Sequence, residues 1–116
     1  MTSLPDGCTD LLDGRGRSDE DLVIAKPGWG AFGRSVLHDE LQKRGVTQVV
    51  ITGRATSFGV ETTARWAYDE GYHVTIAVDA ISDMSLDAHD RTVQRVLPVL
   101  GETGSAAEIA ALLGSA

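Results

Sequence analysis

The chain is poor in several residue types that define whole classes of protein. It holds a single cysteine, Cys8, among 116 residues, so an internal disulfide framework is excluded. No apolar run approaches the roughly eighteen residues needed to cross a bilayer. The amino terminus has neither the basic start nor the apolar stretch of a secretory signal. We therefore expect a cytoplasmic protein that does not engage a membrane.

Positive charge is also scarce. Ten lysines and arginines stand against seventeen acidic residues, which gives a net charge of −7. Nucleic acids and anionic membrane surfaces attract proteins that concentrate positive charge, so this balance argues against both as partners. The length is that of one domain at most, large enough to bury a core.

The first twenty residues differ in composition from the rest. Glycine, aspartate, arginine and serine dominate, and Leu11-Leu12 is the apolar pair of note. Such a segment buries too little apolar surface to offset the entropy lost on ordering. We expect a loose leader over residues 1–20 and a folded domain over residues 21–116.

Apolar runs and helical patterns alternate from residue 21 onward. We predict strands at 22–25, 48–52 and 72–79, and the strand at 48–52 is apolar enough to be buried on both faces. Helices are predicted at 35–44 and 58–70, each followed by a glycine, with a third from Ser85 to about Pro98. A capping box at 105–108 opens a last helix that runs to about Leu113. The inward positions of the second helix are Val60, Ala64, Ala67 and Tyr68.

This order of elements predicts an α/β fold with a doubly wound parallel sheet and helices on both faces. In such sheets, ligands bind beyond the carboxyl ends of the strands. The loops at 26–32, 53–59 and 79–83 should therefore meet at one rim. Asp79, at a strand end, is expected to cap a helix or a turn.

Five segments follow one another in a recognisable order: Asp21-Leu-Val-Ile-Ala-Lys26, Trp29-Gly-Ala-Phe32, Val50-Ile-Thr-Gly-Arg-Ala-Thr56, Gly71-Tyr72 and Val78-Asp-Ala80. Together they resemble the isochorismatase-like hydrolases, a family that includes nicotinamidases and N-carbamoyl amide hydrolases. The resemblance covers the chain from about residue 21 to its end and looks like the C-terminal two-thirds of that domain. It implies an N-terminally truncated version of the family's doubly wound sheet.

The resemblance also implies roles for particular residues. The cysteine-hydrolase branch uses an Asp, a Lys and a Cys; Lys26 matches the lysine, and Gly59 falls at the cysteine position. Backbone N–H groups at Ala55 and at residue 59 would form the oxyanion hole, and a cis peptide is typical at Arg54–Ala55. Thr56, in the same turn, is a candidate substrate-binding residue.

Trp29 and Phe32 are the other candidate substrate-binding residues, and two interpretations of them stay open. They could line a pocket for a planar or small apolar substrate, or simply seal their loop onto the core.

Two departures from the family pattern affect the expected chemistry. Gly59 offers no thiolate to attack an amide carbonyl. True isochorismatases also lack cysteine at this position and cleave a vinyl ether with the help of a carboxylic acid. Alternatively, Gly59 is a plain helix-entry glycine that allows close backbone approach.

The second departure concerns the catalytic Asp, which in the family ends an upstream strand. Asp6, Asp10 and Asp13 follow no apolar strand, so none of them is assigned that role. Without the upstream strand, the strand at 48–52 would expose a hydrophobic edge. Either a second chain covers that edge, as in the homo-oligomer that we expect, or the fragment is marginally stable.

Three hypotheses follow. The first is a fragment of an isochorismatase-like hydrolase that acts on a vinyl ether or amide-type bond of a small molecule, lacking the Cys and the Asp. The alternative is an inactive remnant that binds a small molecule or associates with itself. A flavodoxin-like or Rossmann half-domain is disfavoured, because no Gly-x-Gly-x-x-Gly follows a strand. We predict no cofactor and no metal, although the nicotinamidase branch has a metal.

Overall fold

The computed structural model describes residues 21–114. A parallel three-stranded sheet has the order β1 (Gln48–Arg54), β2 (His73–Ser82), β3 (Gly101–Gly104), which confirms the α/β prediction. The helices are α1 (Leu37–Lys43), α2 (Glu61–Asp69), α3 (Leu86–Arg91), α4 (Leu97–Leu100) and α5 (Ala106–Gly114). Two π-helical turns, Thr56–Val60 before α2 and Thr92–Val96 between α3 and α4, complete the order.

The buried core lies between β2 and the helices that follow each strand. Val74 and Ile76 alternate along β2 and are 3% and 0% exposed. They pack with Val60, Ala64 and other apolar side chains in one cluster, which also contains Phe32, Ile51, Ala67, Tyr72, Ile81 and Leu97.

β1 is an edge strand among the described residues. It pairs with β2 and with no other strand of residues 21–114. Of its side chains only Ile51 is buried, and Val50 is 44% exposed. The prediction of burial on both faces is therefore wrong, because one side of the strand has no neighbour here; the expected exposed hydrophobic edge is confirmed.

Two strand assignments differ from the prediction. Residues 22–25 form no strand, and Leu22 and Val23 are 40% and 60% exposed. An apolar run becomes a strand only when a neighbour supplies ladder hydrogen bonds, and no described strand does so here. β3 was not predicted because Gly101-Glu-Thr-Gly104 has no apolar residue; it forms by pairing with β2, Gly101 opposite Val74.

Most helix ends follow the sequence signals. Gly45 and Gly71 have φ of 68° and 92°, the left-handed region that glycine favours after a helix. Ser85 Oγ accepts a hydrogen bond from the N–H of Ala88 (3.2 Å), so the predicted cap of α3 is confirmed. Val60, Ala64 and Ala67 are buried as predicted. The predicted inward position of Tyr68 is wrong. This side chain is 53% exposed in the last turn of α2, where it borders an open surface groove.

The capping box of α5 is also confirmed. Ser105 Oγ accepts from the N–H of Glu108 (3.1 Å), and Glu108 Oε1 accepts from the N–H of Ser105 (3.2 Å). The backbone N–H of Ser105, and after it the Ser105 hydroxyl, lower the pKa of the exposed Glu108 carboxyl. Asp79 Oδ1 accepts from the N–H of Ala106 (2.7 Å), so Asp79 caps the same helix, as expected.

Candidate active site

The three loops predicted to converge do meet at the carboxyl end of the sheet. Ser57, in the turn after β1, donates its backbone N–H to Asp83 Oδ2 (2.7 Å) in the loop after β2. A Cβ placed on Gly59 would lie 3.3 Å from the carbonyl oxygen of Trp29 in the first loop. The turn carrying Gly59 therefore contacts both other loops.

Lys26 is held by its own loop. Its Nζ donates to the carbonyl oxygens of Gly28 (3.1 Å) and Trp29 (2.8 Å). An ammonium group has three N–H donors, so these two bonds fix its position and use two of the three. The same Nζ lies 3.8 Å from the position a Cβ would take on Gly59. Lys26 and Gly59 are thus adjacent, as the resemblance implied.

Gly59 is surrounded by polar backbone. Besides Trp29, the carbonyl oxygen of Arg54 lies 3.4 Å from the same Cβ position. The φ of Gly59 lies outside the left-handed region, so its conformation does not demand glycine. Both distances are tight but leave room for a Cβ after a shift of a few tenths of an ångström. The close approach of these two carbonyl groups therefore explains only in part why residue 59 is glycine.

Ala55 opens the turn that carries Gly59. The Arg54–Ala55 peptide is cis, as predicted. The carbonyl oxygen of Ala55 accepts from the N–H of Phe58 (3.2 Å) and of Val60 (3.1 Å), which closes the turn. The oxyanion-hole role of the Ala55 and Gly59 amides stays a prediction.

Thr56 lies beneath the rim. Its side chain is fully buried, and its Oγ1 is 2.8 Å from His89 Nδ1 on α3. His89 is 33 residues from Thr56 in sequence, and no motif links the two. In this arrangement Thr56 ties the turn to α3, and the predicted contact with substrate stays untested.

Asp83 anchors the other end of the turn. Its Oδ2 accepts from both the hydroxyl and the backbone N–H of Ser57, and its Oδ1 accepts from the N–H of Ser85 (3.1 Å). Donation from the Ser57 hydroxyl, then from the two backbone groups, lowers the pKa of Asp83 from 3.8 to about 2. The carboxylate is ionised at neutral pH and serves as an acceptor. Nothing in the spacing of Ser57 and Asp83 signalled this pair beforehand.

The two predicted aromatic residues separate. Trp29 is 64% exposed beside Lys26, and its ring contacts that of Phe58 (centroids 4.9 Å apart, planes tilted by 54°). Phe32 is only 7% exposed and stacks on Tyr72 (centroids 5.7 Å apart). The structure favours the core-sealing interpretation for Phe32. Phe58, which was not among the predicted site residues, is the aromatic partner of Trp29 at the rim.

A concavity of about 340 Å³ borders the opposite side of the turn. Several of its polar side chains already have partners: Glu61 accepts from Thr92 Oγ1 (2.9 Å) and pairs with Arg65 Nε (3.2 Å), and Ser57 donates to Asp83. The adjacent Lys26 and Gly59 therefore make a better candidate site. Within residues 21–114, no three His, Cys, Asp or Glu side chains are grouped to hold a metal. None of the helices there combines the length and apolar character of a bilayer-spanning helix.

The fold and this rim define a parallel α/β protein with a lysine beside a helix-entry turn. A family model described as "Isochorismatase domain" matches residues 5–108. This match begins upstream of residue 21, where the resemblance was expected to start. The chain belongs to the isochorismatase family.

Three relatives illustrate the likeness. The "Uncharacterized isochorismatase family protein YecD" of Escherichia coli O157:H7 is 37% identical over 94 residues, which cover 81% of this chain and 50% of that protein. An "Isochorismatase" of Bacillus subtilis is 34% identical over 76 residues, 66% of this chain and 24% of the relative.

The solved structure of an isochorismatase family protein from Burkholderia thailandensis superposes with a TM-score of 0.76 at 42% identity. The superposition covers 79% of this chain and 48% of the Burkholderia protein. The chain spans about half the length of curated relatives that it matches.

Proposed function

We propose that residues 21–114 carry the lysine and the oxyanion turn of a hydrolase site that acts on a small molecule without a covalent enzyme intermediate. One observation carries the proposal: the Nζ of Lys26 lies 3.8 Å from the position of a Cβ on Gly59. The lysine loop and the turn are 33 residues apart in sequence, and they meet at the carboxyl end of the sheet, where parallel α/β folds bind their ligands.

The glycine directs the choice of chemistry. Covalent catalysis on an amide needs a side-chain nucleophile, and position 59 has none. Hydrolysis of a vinyl ether needs proton donation and then water, and neither step uses a side chain at residue 59. A relative named isochorismatase makes this bond type the first to test. The proposal includes the absence of the family's catalytic Asp, because we assign that role to none of residues 21–114.

The substrate would be small and partly apolar. Trp29 and Phe58 together offer exposed aromatic surface directly beside the lysine, and aromatic faces bind flat apolar groups well. The ammonium of Lys26 would meet an electron-rich atom of such a molecule.

The test is an assay of this chain against isochorismate and against simple amides such as nicotinamide. We expect turnover of the vinyl ether only, and its loss in Lys26→Met. Turnover of neither substrate class would contradict catalysis by this chain. The matched control is Lys43→Met, which alters an exposed lysine of α1 that pairs with Glu40.

A second candidate is a non-catalytic module that associates with itself, and the exposed β1 edge favours it. An edge strand presents unpaired backbone groups to another chain, and Val50 adds apolar surface. Analytical ultracentrifugation decides this point: a folded monomer without response to ligand removes the candidate.

A further inference from the structure

The loop that follows Lys26 lies on helix α2. Two glycines of the loop bring its backbone against the ring of Trp66: a Cβ on Gly30 would lie 3.4 Å, and one on Gly33 3.2 Å, from carbon atoms of that ring. The chain enters the same helix through the turn that contains Gly59. Because α2 supports the loop and also follows the turn, it can set where the loop stands relative to the turn.

One directional contact joins the loop to α2. The backbone N–H of Ala31 donates to Thr63 Oγ1 (3.0 Å). Apolar packing on an aromatic ring has little directional preference, whereas a hydrogen bond has a preferred distance and angle. Thr63 follows Gly59 by four residues, which is about one helical turn. The hydroxyl of Thr63 therefore fixes the position of the loop along the helix that begins at the candidate site.

The peptide unit held by Thr63 adjoins the one that holds Lys26. The carbonyl oxygen of Trp29, which accepts from Lys26 Nζ (2.8 Å), belongs to the peptide unit between Trp29 and Gly30. The next peptide unit supplies the N–H of Ala31 to Thr63. Each peptide unit is planar, and these two share the Cα of Gly30. A movement of the Ala31 N–H therefore carries the Trp29 carbonyl with it, and the ammonium loses its placement.

We propose that Thr63 is a positioning residue that keeps the ammonium of Lys26 beside residue 59. Thr63 acts through the Ala31 N–H and the Trp29 carbonyl, and it has no contact with substrate in this role. The branched Cβ of threonine restricts its side chain to few rotamers, so the hydroxyl is held ready to accept. The inference rests on the proposed function, in which the Lys26 ammonium meets the substrate.

The test uses a thiol at residue 59 as a sensor of the ammonium. In a chain carrying Cys8→Ser and Gly59→Cys, the nearby positive charge of Lys26 favours the thiolate. Adding Thr63→Val removes the acceptor of the Ala31 N–H. We expect the thiol pKa to rise by about half a unit, which makes alkylation at neutral pH roughly threefold slower. Thr63→Ser keeps a hydroxyl and should restore the original profile. Identical profiles with and without Thr63→Val overturn the proposal.

A matched control comes from the preceding residue of α2. Thr62 meets the loop through its methyl group, since Cγ2 lies 3.0 Å from the position of a Cβ on Gly30, and valine keeps that methyl group. We expect Thr62→Val to leave the thiol profile unchanged. A rise in pKa as large as that of Thr63→Val would overturn the assignment to the Thr63 hydroxyl.

A double-mutant cycle with Lys26→Met separates positioning from a general effect on the fold. Once the ammonium is absent, Thr63→Val should no longer change alkylation of the thiol. An undiminished change in the Lys26→Met chain contradicts action through the lysine. Thr63→Ala, which also lacks the acceptor and favours helix, replaces Thr63→Val if that variant does not fold. Alkylation requires no turnover, so the positioning role can hold if the hydrolase assay fails and can fail if that assay succeeds.

Discussion

Gly59 lies in the π-helical turn before α2 and Gly101 opens β3, and the space around the two glycines differs. A Cβ on Gly101, at the start of β3, would lie 2.0 Å from the carbonyl oxygen of Val74, which no rearrangement of a side chain can relieve. At Gly59 the nearest atoms are at 3.3 and 3.4 Å. Neither residue has a left-handed φ. Packing thus dictates glycine in the sheet, whereas at the rim it only favours it, which leaves room for a functional reason.

The largest expected effect is at Gly101. Replacement by alanine forces β3 away from β2, and overpacking of this kind costs roughly 1–3 kcal/mol or more. Urea unfolding of Gly101→Ala measures it. Gly104→Ala in the same strand is the control, because its Cβ would make an ordinary 3.7 Å contact with Ile109. Equal stability of the two variants would remove the contrast between sheet and rim.

The second effect tests the electrostatics at the rim. In a Cys8→Ser background, Gly59→Cys places a thiol beside the ammonium of Lys26, which favours the thiolate and lowers the thiol pKa by about one unit or more. The thiolate fraction at neutral pH then rises roughly tenfold, as read from the pH dependence of alkylation. Ala110→Cys, on the exposed face of α5, is the reference thiol. Identical profiles would mean that Lys26 does not act on position 59.

A third effect concerns the anchor of the turn. Asp83 has its pKa lowered to about 2 in the folded chain, so its contribution to stability is present above its ordinary value of 3.8 and is lost as the pH falls towards 2. Asp83→Asn should therefore differ from the unmodified chain most at neutral pH and least near pH 2. The difference in urea midpoint across this range measures it, with Asp90→Asn as the control. A difference independent of pH would show that ionisation of Asp83 does not hold the turn.

The smallest effect is on stability at Gly59 itself. Gly59→Ala requires only a small shift of two carbonyl groups, so we expect a cost under about 1 kcal/mol, close to that of Gly28→Ala. Thermal unfolding of both variants checks this. A cost as large as that of Gly101→Ala would return Gly59 to the class of glycines that packing alone explains.

Local sequence signals predicted the parts of the fold that local physics controls. The glycine stops at Gly45 and Gly71 and the capping box of Ser105 and Glu108 involve neighbours within a few residues. β3 escaped prediction because its formation depends on β2, more than twenty residues upstream in sequence, and not on its own composition.

In the candidate site, too, some features could be predicted from the sequence and others could not. Lys26, Ala55 and Gly59 could be selected by the family resemblance, and the structure places Lys26 next to Gly59. The links from Thr56 to His89 and from Ser57 to Asp83 could not be predicted, because they join residues 33 and 26 positions apart. Exposure also cannot be seen in a residue type, as the different positions of Trp29 and Phe32 demonstrate.

The edge position of β1 has a consequence for assembly. β1 and β2 are parallel, and both deliver their carboxyl ends to the rim that holds Lys26 and Gly59. A strand joining β1 in the same direction would bring its own last residue to that rim. The same strand would then complete the sheet beside β1 and supply a new group to the site. The hydrolytic activity of such a molecule would depend on whether a strand is paired with β1.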